Sequence, residues 1–346
     1  MRAARFGAAA ALTAALLITA NANGDVGAGD ADPLVPQPLA ERTEIVVAIP
    51  APLETFADLF LADRLGEFDR ENLDVRIDYV PVQEELVLLQ QGEIDVSQSA
   101  ITAGIFNLMA DGLNLRFVFP HAYVGDPESG QGFWYNTESF GGDGIQPGEL
   151  NGRRVLAPSG AASISSWYLF SFLNKIDPDL ALDDLSFEVA APSDSPLALM
   201  SGAAPIGFVN TVWVEELRES GCCEYFAGSY PDVSVSGWVF GPSLLENDPA
   251  VGRAFVRALG RTVRDHLQGD YHADDVIAEA LSGALDIQPE VLRDQVLLTF
   301  DPTFTFGLEA LDVQPFFDEL ELLSYEPPYL TADQVFDARF VDDVLG

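Results

Sequence analysis

The first regular pattern of hydrophobic residues begins just after Thr43. Ile45–Ile49 is a short apolar run of the kind that forms a buried strand, and Val75–Val80 is predicted to be a second strand. Between them, a proline-containing turn leads to hydrophobic residues at helical spacing from about Thr55, which predicts a helix. Together these elements form a βαβ unit. The loop after its first strand faces a helix N-terminus, which is the usual ligand position in an open α/β sheet.

The same pattern returns in the middle of the chain. Arg154–Ala157 is predicted to be a strand that leads through a glycine-containing loop into a helix over about 162–175. Further strands are predicted at Phe187–Ala190 and Pro205–Val209. A long amphipathic helix is predicted at Asp248–Leu267, with these residues on one face: Val251, Phe255, Val256 and Leu259. The alternation of strands and helices predicts an α/β fold.

The N-terminal residues have the pattern of an export signal. Arg2 and Arg5 precede the uncharged stretch Phe6–Ala20, and Ala20-Asn21-Ala22 is an A-x-A cleavage site. The stretch is shorter than the roughly 20 residues that span a bilayer. We therefore predict a cleaved signal peptide over residues 1–22, with a retained anchor as the alternative. No cysteine follows the stretch, so a lipoprotein anchor is not expected. We expect a soluble protein in the periplasm or outside the cell.

Two lobes are expected for the rest of the chain. Residues 23–42 are rich in Gly, Asp, Pro and Ala without periodicity, and we predict a flexible leader there. The chain beyond the signal peptide is longer than the roughly 250–300 residues at which a single hydrophobic core stops growing.

The charge of the chain limits its partners. It has 55 acidic against 17 basic residues, a net charge of −38. The electric field of this negative charge repels nucleic acids and anionic lipid surfaces, so neither is expected as a partner. Solubility in a salty habitat is the favoured explanation, and an acidic surface for cationic ligands is the alternative.

Cys222 and Cys223 are adjacent and are the only cysteines. Adjacent cysteines rarely meet disulfide geometry, and no histidine lies near them in sequence to complete a metal site. We predict two buried or half-buried thiols and no metal, with a redox role as the alternative.

The order of these elements resembles the solute-binding proteins of ABC importers in the nitrate, alkanesulfonate, taurine and thiamine-precursor group. The first βαβ unit matches that group's "APxYLA…G.F…GLDV"-like run at Ala57, Leu59, Phe60, Leu61, Ala62, Gly66, Phe68, Leu73, Asp74 and Val75. The central unit matches its "dLkGkkVgvp.GS" run at Leu150, Gly152, Arg153, Arg154, Val155, Pro158 and Gly160. The resemblance covers about residues 44–345.

The resemblance implies a periplasmic-binding-protein fold of type II. Each of its two lobes is a mixed sheet flanked by helices, and the ligand cleft lies between them. We expect lobe 1 over residues 43–133, lobe 2 over 134–236, and a return to lobe 1 over 237–346. Phe133–Asn136 and Val235–Gly241 are the expected crossings between the lobes. The implied partners are a small-molecule ligand, a membrane permease and its ATPase, and we expect a monomer.

Four loops and one aromatic residue are expected to line the cleft. The loops lie at 50–56, 99–102, 159–163 and 210–213, where strand ends and helix N-termini present free N–H groups. The candidate ligand-binding residues are Pro52, Thr55, Phe56, Ser99, Ala100, Thr102, Ser159, Gly160, Ala161, Ser163, Asn210, Thr211, Trp213 and Trp238. The alternative role of Ser159 and Ser163 is to cap a helix, and that of Asn210 is to form the hydrogen bonds of a turn.

The chain departs from the group in ways that bear on the ligand. The group's Gly-Ser-Thr run becomes Gly160-Ala161-Ala162, and its Val-Trp-Glu-Pro run becomes Val209-Asn210-Thr211-Val212. The expected cleft loops contain no Arg, Lys or His. We therefore favour a neutral or cationic N-heterocycle, such as a thiamine-precursor pyrimidine, over nitrate, alkanesulfonate or taurine.

Enzymatic functions find little support in the sequence. No G-x-S-x-G, H-E-x-x-H or P-loop motif is present. A relative of this fold uses pyridoxal phosphate on a lysine, but Lys175 is the only lysine here and lies at a predicted helix end. We expect no cofactor and no catalysis. A secreted enzyme and a sensory ectodomain are the alternatives.

Overall fold

The computed structural model describes residues 32–121, 129–142, 144–226 and 235–345. The predicted export signal lies outside these residues. The strands, in chain order, are β1 (Thr43–Ile49), β2 (Leu73–Tyr79), β3 (Val96–Ala100), β4 (Arg116–Pro120), β5 (Gly132–Asn136), β6 (Arg153–Ala157), β7 (Leu185–Val189), β8 (Ile206–Val209), β9 (Cys223–Tyr225) and β10 (Ser236–Phe240). The helices are α1 (Ala57–Arg64), α2 (Val82–Gln91), α3 (Ala103–Ala110), α4 (Ile164–Ile176), α5 (Asp194–Met200), α6 (Thr211–Ser220), α7 (Pro249–His266), α8 (Asp275–Leu285), α9 (Pro289–Arg293), α10 (Gln314–Glu319), α11 (Ala332–Val335) and α12 (Arg339–Leu345).

These strands form two sheets with matching topologies. The first has the order β2-β1-β3-β10-β4, and the second has the order β7-β6-β8-β5-β9. Within the first, β1 runs parallel to β2 and β3, whereas β10 is antiparallel to β3 and β4. Within the second, β6 runs parallel to β7 and β8, whereas β5 is antiparallel to β8 and β9. The predicted fold class, two mixed sheets flanked by helices, is confirmed.

Both faces of each sheet are covered, which explains the apolar runs in the sequence. Successive side chains of a strand point to opposite faces. In β1, Ile45, Val47 and Ile49 pack into one hydrophobic cluster, while Ala48 packs into the cluster on the other face. Helices α1, α7 and α8 lie on the first of these faces, and α2 and α3 on the second. Both clusters pack against the first sheet, and the lobe around this sheet is here called lobe 1. Lobe 2 surrounds the second sheet.

The chain changes lobes between β4 and β5 and again between β9 and β10. Phe133–Asn136 lies within β5 of the second sheet, and Ser236–Phe240 forms β10 of the first. The connections therefore fall at residues 121–131 and 226–235, of which 122–128 and 227–234 are not described.

Part of the expected leader is packed against lobe 1. Leu34 is buried in the core cluster of α7. Arg261 Nη1 donates to the Leu34 carbonyl oxygen at 3.0 Å, and Arg257 Nη2 donates to that of Gln37 at 3.2 Å. Both arginines also bind the buried carboxylate of Glu71. A buried guanidinium group has more N–H donors than its carboxylate partner can satisfy, and the carbonyl oxygens of Leu34 and Gln37 accept from the remaining ones. Residues 34–37 are therefore held against lobe 1 rather than flexible.

The two cysteines differ from the prediction. Cys222 and Cys223 form a disulfide with each other, so neither is a free thiol. The pair lies where α6 ends and β9 begins, and the Cys222 carbonyl oxygen accepts hydrogen bonds from the backbone N–H and hydroxyl of Thr137. The sequence analysis predicted two thiols because disulfides between adjacent cysteines are rare.

Candidate ligand-binding site

A cavity of about 570 Å³ lies between the two lobes. Its walls follow the carboxyl ends of parallel strands in both sheets. Pro50 comes directly after β1, Ala100 ends β3, Ser159 follows β6, and Asn210 follows β8. Ligands of open α/β sheets bind at this edge. The volume is within the ~300–1,000 Å³ of small-molecule sites, so the cavity is the candidate ligand site.

The cavity wall combines uncharged polar groups with aromatic rings. Among the described residues, none of those that line it is Arg, Lys, Asp or Glu. The side-chain amides and hydroxyls come from Thr55, Gln98, Gln131, Ser159, Ser163, Ser165, Asn210 and Ser236. The rings come from Phe56, Tyr79, His121 and Phe208. Such a wall can form hydrogen bonds and stack on a planar group, but it offers no ion pair.

His121 is a buried imidazole in this wall. Its ring stacks on Phe56 with centroids 5.2 Å apart and meets the edge of Trp238 at 5.5 Å. Burial lowers the pKa of His121 to about 3, so the ring is neutral near pH 7. Its Nδ1 is 4.0 Å from Asp58 Oδ2, but with a neutral imidazole this contact is not an ion pair.

Trp238 lies behind the wall rather than on it. Its side chain is fully buried, and Nε1 donates to Asp58 Oδ2 at 2.9 Å. The expectation of a cleft-facing indole is not met, because β10 lies inside the first sheet and this side of it packs on α7, where Phe255 meets the indole ring. Burial raises the pKa of Asp58 to about 7, against the lowering effect of the hydrogen bond from Trp238.

The structure brings together about half of the sequence-predicted residues. Six of them line the cavity: Thr55, Phe56, Ala100, Ser159, Ser163 and Asn210. Pro52 and Thr211 line a smaller neighbouring cavity. Six others are not among the described residues of either wall: Ser99, Thr102, Gly160, Ala161, Trp213 and Trp238.

Local structure explains several of these absences. Alternation along β3 turns Gln98 and Ala100 toward the cavity and Ser99 away from it. The Thr102 hydroxyl caps α3 by accepting from the Ile105 N–H at 3.4 Å. Trp213, on α6, packs with the small hydrophobic cluster around Trp134.

Several wall residues were missed although their positions carried a signal. Tyr79 ends β2, Phe208 lies one residue before the end of β8, Gln98 is in β3, and His121 directly follows β4. All are at or near strand ends, where the βαβ argument places a ligand. The sequence interpretation took only the loops that match the family pattern.

A side cavity of about 40 Å³ adjoins the main one. Leu53, Thr55, Gln131 and Asn210 line both cavities. The remaining described residues of the side cavity are Pro52, Glu54, Thr211, Val212, Leu285, Ile287 and Gln295. It is therefore formed by both lobes. A space of this size can hold a water molecule or a small substituent.

Glu54 brings a buried carboxylate to the side cavity. Its Oε1 accepts from the Tyr271 hydroxyl at 2.6 Å and lies 2.7 Å from His272 Nε2. Its Oε2 is buried and forms no hydrogen bond with any residue that the structure describes. Burial, followed by the charge of Glu54, raises the pKa of Tyr271 well above its ordinary value, so this phenol remains a donor.

Among the described residues, no three His, Cys, Asp or Glu side chains lie together as a metal site requires. None of the helices in the described part of the chain is long and apolar enough to cross a membrane.

Comparison with known proteins shows similarity in structure and not in sequence. No protein-family model matches the chain, and no curated protein does. A zinc-bound ligand-binding component of an ABC-type import system from Staphylococcus aureus is similar in structure with a TM-score of 0.65 and 14% identity, over 87% of this chain and 99% of that one.

Two other solved structures are similar to the same degree. The periplasmic aliphatic sulphonate-binding protein SsuA from Escherichia coli has a TM-score of 0.60 and 15% identity, over 87% of this chain and 99% of that one. The periplasmic nitrate-binding protein NrtA from Synechocystis has a TM-score of 0.62 and 12% identity, over 89% of each chain. These similarities extend over both lobes, and the chain therefore has the two-lobed fold of the periplasmic solute-binding proteins.

Proposed function

We propose that this protein is the extracytoplasmic substrate-binding component of an ABC importer. In this proposal the two lobes close on a small organic solute, which is then delivered to a membrane permease driven by an ATPase. The observation that carries the proposal is the interlobe cavity, which is of ligand size and is lined from both sheets at the carboxyl ends of their strands. Similarity to importer components over both lobes supports it.

The chemistry of the wall favours an uncharged ligand with a planar group. A buried anion needs a cation or many donors, and a buried cation needs a carboxylate or an aromatic cage. The described wall residues include no charged side chain, and His121 is neutral. Rings at Phe56, Tyr79 and Phe208 suit stacking on a heterocycle. We therefore narrow the ligand to a neutral N-heterocycle, with a thiamine-precursor pyrimidine as the working candidate.

The remaining parts of the proposal derive from the importer role. The protein acts as a soluble monomer after cleavage of the signal peptide at residues 1–22, in the periplasm or outside the cell. It binds the permease, and no cofactor takes part. In this proposal neither nucleic acid nor an anionic lipid surface is a partner, because the excess of acidic over basic residues repels both.

Ligand screening tests the proposal directly. Purified protein is screened by thermal shift against pyrimidines, purines and flavins and against nitrate, taurine and alkanesulfonates, and hits are confirmed by calorimetry. We expect stabilisation by neutral heterocycles, because a ligand that binds only the folded state raises the melting temperature. Native mass spectrometry of protein from cell extracts checks which compound is bound.

An anion receptor is the second candidate, and one observation favours it. Ser163 and Ser165, at the N-terminus of α4, both line the cavity, and helix N-termini hold anions through their N–H groups. A rise in melting temperature with taurine or nitrate, and none with heterocycles, would select this candidate. A secreted enzyme on the same fold would instead convert its ligand, so recovery of unchanged ligand after prolonged incubation argues against it.

A further inference from the structure

The Cys222–Cys223 disulfide is a feature of lobe 2 that the solute-binding function does not explain. Neither cysteine is among the described residues of the two cavity walls. A disulfide stabilises a fold mainly by closing a long loop in the unfolded chain, and a bond between neighbours closes almost none. Cys222 is half-buried, so a reductant can reach its sulfur, whereas Cys223 is buried. The bond therefore has the exposure of a reactive disulfide and contributes little to stability.

The disulfide holds the start of a short edge strand. β9 (Cys223–Tyr225) lies at the edge of the second sheet and pairs with β5. At its start, the Cys222 carbonyl oxygen accepts from the N–H and the hydroxyl of Thr137, both at 3.0 Å. At its end, the Phe226 N–H donates to the Phe133 carbonyl oxygen at 2.9 Å. A strand of three residues with few hydrogen bonds opens easily, so its position depends on how firmly the disulfide holds its first residue.

Tyr225, the last residue of β9, contacts the cavity wall. Its hydroxyl donates to the Gln131 carbonyl oxygen at 3.0 Å, and its ring packs on Gly132, where a Cβ atom would lie 3.0 Å from the ring. Gln131 lines both cavities, and its side-chain oxygen accepts from the Thr211 N–H at 3.3 Å. Thr211 is the first residue of α6, so this N–H has no acceptor within the helix. Tyr225 thus connects the disulfide with the part of the wall that Gln131 and Thr211 form.

Lobe 2 can accommodate the reduced cysteines without unfolding. Cys223 belongs to a hydrophobic cluster with Trp134 and Val214, and a neutral thiol behaves as a small apolar group in such surroundings. The Cys222 sulfur lies 3.1 Å from the Ser220 hydroxyl oxygen, which gives a thiol at this position a polar neighbour. An oxidised and a reduced folded state are therefore both compatible with the residues around the disulfide.

We propose that Cys222–Cys223 is a redox-active site for a dithiol reductant, and that its reduction loosens β9 and alters the cavity wall at Gln131. A thiolate of the reductant attacks the accessible Cys222 sulfur, the S–S bond breaks, and the Cys223 sulfur leaves and takes up a proton. The second thiol of the reductant then attacks the mixed disulfide and releases Cys222 as a thiol. The reductant is oxidised to its own disulfide, and the cysteine pair gains the two electrons and two protons that it loses.

Reduction of the folded, ligand-free protein is the first test. The protein is equilibrated with mixtures of reduced and oxidised dithiothreitol, and its thiols are then labelled with excess N-ethylmaleimide in denaturant and counted by mass spectrometry. We expect two labels under conditions in which circular dichroism shows a folded protein. A disulfide that stays intact until the chain unfolds would overturn the proposal. Because no solute is present, this outcome is independent of the proposed solute-binding function.

Amide hydrogen exchange tests the link from the disulfide to the cavity. We expect the N–H groups of Thr211 and Phe226 to exchange roughly tenfold faster, or more, in the reduced protein, because their hydrogen bonds depend on the position of β9. Amides in the middle of α7, in lobe 1, are the reference and should exchange at the same rate in both states. Unchanged exchange at Thr211 in fully reduced protein would overturn the proposal.

A tyrosine variant tests whether the link runs through Tyr225. Tyr225→Phe removes the hydroxyl that binds Gln131 and leaves the disulfide intact. Thr211 should then exchange faster without reductant, and reduction should accelerate it by less than about twofold more. Tyr329→Phe is the matched control, because it removes a hydroxyl that donates to Asp318 at 2.8 Å in lobe 1, and it should keep the full response to dithiothreitol. A full response in Tyr225→Phe would overturn the link through this residue.

A variant without the disulfide separates loss of the bond from other effects of the reductant. Cys222→Ser/Cys223→Ser should show the exchange rates of the reduced protein at Thr211 and Phe226, whether or not dithiothreitol is present. Exchange rates equal to those of the oxidised protein would mean that the bond does not hold β9, and would overturn the proposal.

Discussion

Thr102 of lobe 1 and Ser163 of lobe 2 pair with each other in an isolated antiparallel bridge. Beside them, the Ile164 N–H donates to the Ile101 carbonyl oxygen at 3.0 Å. Ile101 and Ile164 are both buried in one hydrophobic cluster that spans the lobes. The lobes therefore touch directly at this side of the cavity, apart from the two chain connections. The closure proposed for ligand binding would either pivot at this bridge or break it.

A disulfide across the bridge distinguishes these two possibilities. Residues that face each other in an antiparallel pair have Cβ atoms about 4.5–5.5 Å apart, close to the separation that a disulfide needs. We expect Thr102→Cys/Ser163→Cys to oxidise readily. If the bridge is the pivot, the oxidised and reduced forms of this variant should bind ligand with affinities within about threefold of each other. Non-reducing mass analysis and calorimetry provide the measurements.

Each replaced side chain also caps a helix, so the single variants are needed as controls. Thr102 accepts from Ile105 N–H and Ser163 from Ser165 N–H, and loss of a cap costs about 1 kcal/mol. A loss of affinity that appears only when the double variant is oxidised, and reverses on reduction, would show that the bridge must open for binding.

Asn210 is expected to act on the ligand and not on the fold. It is buried, lines both cavities, and occupies the N-cap position of α6 without a side-chain capping bond. Asn210→Ala should weaken binding by about 1–3 kcal/mol and change the free energy of unfolding much less. Calorimetry and denaturant unfolding check the two quantities.

Asn136 provides the opposite control. Its amide donates to the Leu199 carbonyl oxygen at 2.9 Å and its Oδ1 accepts from the Ser139 N–H at 3.0 Å, in the interior of lobe 2. Asn136→Ala should therefore lower stability and leave the intrinsic affinity of the folded protein unchanged. Unchanged affinity in Asn210→Ala would assign that residue to the turn instead.

The fold could be predicted from the sequence because its strands are buried on both faces. Runs such as Ile45–Ile49 and Pro205–Val209 are apolar throughout and stand out without knowledge of their neighbours. Shorter or mixed elements gave no such signal. β9 (Cys223–Tyr225) has only three residues and pairs with β5 at the edge of its sheet, so tertiary context alone defines it.

The site was predicted less completely, for a physical reason. The sequence indicates which loops come after strands, but the direction of a side chain depends on what packs against each face of the sheet. Trp238 points to α7 and not to the cavity, and its aromatic role in the wall is taken by residues at other strand ends, such as Tyr79. Glu54 gave no signal either, because its partners Tyr271 and His272 are more than two hundred residues away.

Tyr79 allows binding to be changed without affecting the core. Its side chain is 56% exposed although it lines the cavity. Tyr79→Ala should alter the free energy of unfolding by less than about 0.5 kcal/mol, as is usual for surface positions. Loss of a stacked ring should weaken the binding of a heterocycle by about 0.5–1.5 kcal/mol. Leu197→Ala, at an exposed position of lobe 2 away from both cavities, is the control for surface truncation.

Two buried carboxyl groups of lobe 1 predict how stability depends on pH. Burial raises the pKa of Glu85 from 4.5 to about 8, more than the hydrogen bond from Ser97 lowers it. Burial likewise raises the pKa of Asp58 from 3.8 to about 7. The folded protein therefore holds these protons at pH values where the unfolded chain has released them. Their effect is to lower the free energy of unfolding as the pH rises from about 4 to about 8.

Glu85→Gln should remove the upper part of this decline. Above about pH 7 Asp58 is more than half ionised while Glu85 is still mostly protonated, so the larger part of the remaining slope up to about pH 8 belongs to Glu85. The variant cannot ionise, and we expect it to be more stable than the unmodified protein near pH 8, by an amount on the order of a few kcal/mol. Denaturant unfolding at several pH values measures this difference, with the exposed Glu290→Gln as the control that should leave the slope unchanged. A parallel decline in Glu85→Gln and the unmodified protein would mean that Glu85 is ionised in the folded state and that water or a structural change compensates its burial.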